Sequence, residues 1–154
     1  MATSFDEMEN FFLAGITDDM YMELTEDDTK EILDEILIAA LPSFEFPKQA
    51  QLQNIDIENR NFTVDLTQEE MMIIRQYMIA EWIGYQLATI ENIRQKFSGS
   101  DFKFTSQAAH MKQLITMKQD YERHGFHLQR LYCRRTIDED GYYKTTFDTI
   151  MEVK

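Results

Sequence analysis

Glycine and proline are scarce in this chain of 154 residues, at five and two. So few turn-formers argue against disorder and against an all-β fold made of many tight turns. There is one cysteine, Cys133, so no disulfide can close within the chain. That is the pattern of a protein made and kept in a reducing compartment. Long apolar runs are also missing: the longest, Ile36 to Leu41, covers six residues, where a membrane span needs roughly 20. The first residues, Met1 to Glu7, have neither the basic nor the apolar region of a signal peptide,. A soluble protein made in the cytoplasm, with no membrane association, is expected. Bases are nearly absent from the front of the chain. Residues 1–58 hold 15 acids and two bases, while residues 59–154 hold 13 of each. The net charge of −13 therefore resides in the front, and its sum repels phosphate, which excludes nucleic acid as the primary ligand.

What remains is rich in Met (10), Phe (11) and Tyr (7), enough apolar volume for one core at this length. The expected fold is mainly α, a helical bundle around two long antiparallel helices with a C-terminal β-hairpin. It forms a single domain over 1–154, with an acidic N-terminal segment (1–24), the bundle (25–135) and a C-terminal hairpin or arm (136–154). Phe5, Met8, Phe11, Phe12 and Leu13 have helical spacing, stopped by Gly15. A second helix starts near Thr25, carries its stripe on Ile32, Leu33, Ile36, Leu37, Ala40 and Leu41, and ends at Pro42,. Residues 42–61 read as an extended connection, in which Phe44 and Phe46 point the same way as anchors. Residues 62–66 read as a short strand.

The strongest helix signal follows. Thr67 and Glu70 form a capping box, and from Met71 to Ala88 apolar residues nearly encircle the axis, so this helix is expected to be buried on most sides,. Ser98-Gly99-Ser100 ends it. The next helix is capped by Thr105 or Ser106 and runs to about Arg135. Its stripe is Ala108, Met111, Leu114, Ile115, Tyr121, Leu128, Leu131 and Tyr132, and Gly125 within it marks close helix contact or a bend. Residues 102–135 carry seven Lys/Arg against Asp120 and Glu122, so the back of this helix is basic. Arg135-Thr136-Ile137 and Tyr142-Tyr143-Lys144-Thr145-Thr146-Phe147 then flank Asp138-Glu139-Asp140-Gly141 as a hairpin.

Catalytic patterns are wanting. His124 and His127 stand one helical turn apart without a third ligand at a metal-site spacing. Asp138 to Gly141 has its glycine in the wrong place for a calcium loop and Thr149 instead of Glu at the twelfth position,, and reads as a turn. Asp18, Asp19, Glu26, Asp27 and Asp28 form a solvated acidic run, without the burial that separates paired carboxylates. Cys133 lies beside Arg134 and Arg135 with no partner base, and reads as packed. No enzyme and no cofactor are expected.

Phe62 to Glu70 leading into a helix with Met78, Trp82, Gln86 and Glu91, then Ser100 to Ala108 opening a second long helix that ends in Tyr132, resembles the neck or head-to-tail connector proteins of tailed bacteriophages. The likeness spans roughly residues 25–135. It implies a virion protein without catalytic residues, a helical adaptor in a ring, often of twelve subunits, under the portal. Its implied partners are other copies of itself, the portal protein and tail or neck proteins, with DNA passing through but not specifically bound. The acidic front and the hairpin set this chain apart from that pattern. The candidate partner-facing residues are Arg130, Arg134, Arg135, Tyr142, Tyr143 and Phe147. The competing expectation, from the acidic front, is a small intracellular inhibitor or DNA mimic that occupies a basic site on a host protein.

Overall fold

The computed structural model describes residues 2–16, 26–96, 104–137, 139–141, 143–145 and 151. Among them are four α-helices: α1 (Phe5–Leu13), α2 (Glu26–Ala40), α3 (Gln68–Lys96) and α4 (Phe104–Arg134). A 3-10 turn over Leu41–Ser43 follows α2, with Pro42 ending the α-helical hydrogen bonding as the sequence predicts,. Two small antiparallel pairs complete the fold. β1 (Ile55–Asp56) pairs with β2 (Asn61–Phe62), and β3 (Arg135–Ile137) with β4 (Tyr143–Thr145). The fold is mainly helical, two long packed helices with a small C-terminal hairpin, as expected from the pattern.

The starts of α1 and α3 have a chemical reason. Ser4 caps α1 by accepting from the Glu7 N–H at 3.2 Å,. The capping box of α3 is reciprocal: the Thr67 N–H donates to Glu70 at 2.8 Å, and the Glu70 N–H to the Thr67 hydroxyl at 3.3 Å,. α4 begins at Phe104, so Thr105 and Ser106 lie inside it rather than before it. The Thr25 cap, the Ser98-Gly99-Ser100 stop and the side chains of 91–96 and 104–107 lie outside the described residues.

α3 and α4 pack antiparallel. Gly84 faces Lys118, Tyr77 faces Gly125, and Glu70 meets Tyr132, so contacts rise along one helix as they fall along the other. α2 and α1 lie on α3, and α2 and α4 scarcely meet except at Lys118. α3 is thus the shared spine, which explains its near-continuous apolar surface: Ile73, Ile74, Tyr77, Met78, Ile79, Ala80 and Ile83 are buried,. Met72 and Tyr85, off the packed faces, are exposed. Gly125 marks close helix contact. A Cβ there would stand 3.1 Å from the Tyr77 ring and 3.2 Å from Gln76.

Three further expectations need correction. The strand expected at 62–66 is only Asn61–Phe62, pairing back to Ile55–Asp56 inside the stretch read as a plain connection. Thr3–Phe5 run beside it, with Phe62 N–H donating to Thr3 O and Phe5 N–H to Arg60 O, both at 2.9 Å. The α4 stripe is also narrower than its periodicity suggests: Leu114 and Tyr132 are buried, but Ala108 and Ile115 are exposed. α4 packs mainly along α3 and meets the 44–49 connection near its C-terminal end, so a narrow seam suffices. Finally, Phe44 and Phe46 do not point the same way. Phe44 is fully buried and Phe46 is 62% exposed. Phe44 has φ −84° and ψ 79°, outside the extended region where residues i and i+2 share a face.

Candidate partner-binding surface

Two arrangements of charge stand out, one closed and one open. The closed one is centred on Arg60. Its Nε donates to Asp34 at 3.0 Å and its Nη2 to both Glu9 oxygens at 2.9 and 3.0 Å, while Nη1 pairs with Asp6. α1 supplies Asp6 and Glu9, α2 supplies Asp34, and the turn before β2 supplies the arginine. Arg60 has φ 51°, the left-handed conformation uncommon for a residue with a side chain. The fork of hydrogen bonds holds it there. Asp56 shapes the same turn by accepting from the Asn59 N–H at 3.1 Å and side-chain amide at 2.7 Å, which lowers the Asp56 pKa. Glu9 is buried. Desolvation, then the neighbouring Asp34, push its carboxyl up to about 7 against the pull of Arg60. Bonds to Asp34 above all hold the guanidinium protonated.

A second closed network ties the 44–49 connection to the helix pair. Gln129, though polar, is 1% exposed. Its oxygen accepts from the Phe46 N–H at 3.0 Å, and its amide donates to the Tyr77 hydroxyl at 3.2 Å and to Ser43 O at 3.4 Å. The Tyr132 hydroxyl donates to Glu70 at 2.7 Å and accepts from the Lys48 N–H at 2.9 Å. Gln49 supplies a further donor to Glu70. Burial, and the hydrogen bond to Glu70, raise the Tyr132 pKa, and burial raises that of Tyr77. The Tyr132 hydroxyl stays a neutral donor to Glu70, and the Tyr77 hydroxyl accepts from Gln129, so each of these buried groups has a partner,.

The open arrangement is built on top of that network. Because Gln129 holds the Phe46 N–H and the Cys133 thiol donates to Phe46 O at 3.4 Å, the connection lies flat on α4 and turns the Phe46 ring outward. Beside it Phe126 is 47% exposed. The Arg130 guanidinium lies 5.9 Å from the Phe126 ring centre, within cation–π reach. Phe46, Phe126, Gln129, Arg130, Cys133 and Arg134 line a surface groove of about 390 Å³. Exposed aromatic rings thus lie beside arginines here, the combination enriched in protein interfaces.

Compared with protein-family models, curated proteins and solved structures, the chain matches none.

The surface therefore rests on its own geometry. Arg130 and Arg134, read from sequence as partner-facing, both line the groove. Arg135 does not: it pairs with Glu69 at 3.4 Å, and its carbonyl accepts from Lys48 Nζ. Tyr142, Phe147 and the side chain of Tyr143 lie outside the described residues. Cys133, expected as packed, is exposed. His124 and His127 are exposed on α4. Sequence reasoning missed Phe46 and Phe126. For Phe126 a signal existed, since it stands out of phase with Tyr121, Leu128 and Tyr132 and one helical turn before Arg130. For Phe46 none did, because its direction depends on Gln129, 83 residues away.

Proposed function

We propose that this chain is a structural adaptor: a head-to-tail connector of a tailed phage, assembled as a ring under the portal and located in the neck of the virion. The observation that carries this reading is the groove of Phe46 and Phe126 with Arg130 and Arg134, on a fold whose acidic face lies elsewhere. Exposed rings flanked by guanidinium groups suit a macromolecular partner. Spatially separate acidic and basic faces suit head-to-tail association, which closes into rings. The β3–β4 hairpin adds a third feature. Its strands pair only with each other among the described residues, and Ile137 is 65% exposed. A two-stranded pair of this kind gains from strand addition by a portal or tail protein. An acidic front turned to the channel would let DNA pass without adhering.

The test is the mass of the purified chain over a concentration series, alone and with the portal protein encoded beside it. A discrete ring, or stoichiometric binding to the portal, is expected. A strict monomer that ignores the portal and competes with DNA for a host protein would replace this reading with the acidic inhibitor. Deleting residues 136–154 is expected to leave a folded bundle that no longer attaches to its neighbour. A truncated chain that docks normally sinks the hairpin's role.

A further inference from the structure

The N-terminal segment is held to the rest of the chain by two different chemistries. Around Thr3 the bonds are backbone and hydroxyl bonds. Its N–H donates to Val64 O at 3.2 Å, its carbonyl accepts from the Phe62 N–H at 2.9 Å, and its hydroxyl accepts from the Leu66 N–H at 2.8 Å. None of these atoms gains or loses a proton near neutral pH. Beyond Ser4, α1 lays Phe5, Met8 and Phe12 into the core. Its polar attachment there is to Arg60, through the carboxyl groups of Asp6 and Glu9.

The crowding at Arg60 Nη2 matters most. That nitrogen has two hydrogens, yet three carboxyl oxygens surround it: both of Glu9 at 2.9 and 3.0 Å, and one of Asp34 at 3.0 Å. Two carboxyl groups bonded to one nitrogen stand no more than about 6 Å apart. At that separation like charges raise one of the two pKa values. Glu9 is buried and Asp34 is half-buried, so salt and water screen the pair poorly.

Among the described residues, the charges acting on Glu9 are Asp34 of α2 and Arg60 of the turn, and Asp6 of α1 meets the same guanidinium. α3, the other helix under α1, brings Arg75, whose guanidinium lies 5.1 Å from the Phe11 ring centre. We infer that α1 is a proton-controlled latch: Glu9 docks as the neutral acid against Asp34 and Arg60, and its ionisation frees α1 to swing outward about Ser4.

The direction follows from the carboxyl group. Burial, then Asp34, push Glu9 up to about 7 in the docked helix, and in an opened helix it returns toward 4.5. Its contribution to docking is therefore fully present below about 4.5 and is lost as pH rises through about 7,. Opening uncovers Phe5, Met8 and Phe12 together with the α3 surface beneath them. The latch works within one chain and does not depend on the adaptor reading.

Two measurements on the full chain test it. The first is an NMR titration of the Glu9 side-chain carboxyl carbon. A midpoint near 7 is expected, and D34N should lower it by about one unit, because the competing carboxylate is gone. The second is amide hydrogen exchange between pH 5.5 and 8, corrected for the intrinsic rate. Protection of the α1 amides should fall by about twentyfold over that range, by about fourfold in D34N, and by less than about twofold in E9Q. The α1 amides should also exchange faster than those of Ile73 to Ile79 in α3 at every pH, which marks local opening rather than unfolding.

A Glu9 midpoint in the ordinary carboxylate range overturns the latch. So does α1 protection that stays flat from pH 5.5 to 8, or α1 exchange that only keeps pace with α3.

Discussion

Arg60 and the pair Arg130/Arg134 are the same residue type in opposite situations. Arg60 is surrounded by three carboxylates from two helices of its own chain. Arg130 and Arg134 stand beside exposed phenylalanines on the outer face of α4. The difference separates an arginine drawn into the fold from arginines on its outer surface. Removing the guanidinium beside the buried Glu9 and half-buried Asp34 leaves them uncompensated, whereas removing one from an open surface disturbs the fold little,.

The largest effect should therefore come from Arg60→Ala. With the side chain 27% exposed and Glu9 only 5%, the expected loss at neutral pH is about 2–4 kcal/mol, read from urea unfolding. Arg130→Ala in the same assay should change stability by no more than about 0.5 kcal/mol. Equal losses would erase the contrast.

Next is Gln129→Ala, which strips partners from the Phe46 N–H and the Tyr77 hydroxyl and should cost about 1–3 kcal/mol. It also frees the connection that presents Phe46, so Cys133 should react faster with a maleimide in this variant. Unchanged labelling would show that Gln129 does not hold the connection in place.

The pH dependence sharpens the closed side further. Glu9 has its folded pKa raised to about 7 from 4.5. Its contribution to stability is thus fully present below about 4.5 and is lost as pH rises through about 7,. Asp56, with its pKa lowered, acts in the opposite sense: its contribution is present above its ordinary range and lost at lower pH. The useful quantity is accordingly the difference between wild type and Glu9→Gln. Between pH 5 and 8 that difference should move in favour of the variant by about 1–3 kcal/mol. A flat difference would mean that Glu9 is ionised throughout.

The smallest effects test the α3–α4 seam with two glycines. Gly125→Ala presses a methyl on the Tyr77 ring and Gln76 at 3.1–3.2 Å, and should destabilise by about 1 kcal/mol despite better helix propensity. Gly84→Ala meets only the flexible tip of Lys118 at 3.2 Å, and should stabilise by up to roughly 1 kcal/mol. The same sign at both sites would contradict the packing described.

Local signals carried much of the architecture. The Thr67–Glu70 capping box, the stop at Pro42, the encircled apolar pattern of α3 and the terminal hairpin each depend on residues a few positions apart. Chemistry over that range is readable from order alone. The same holds for the exposure of Arg130 and Arg134, since they stand off the apolar stripe of α4. What required the tertiary structure was every pairing of distant residues. Arg60 finds Asp34, Glu9 and Asp6 at separations of 26, 51 and 54 positions, and no periodicity encodes such a meeting. Gln129 and Cys133 reach back to Phe46 across 83 and 87 positions and thereby decide that its ring faces solvent. The chain determines which segments become helices because that preference is local. Which arginine is consumed inside the fold, and which remains on its surface, is decided only when those helices pack.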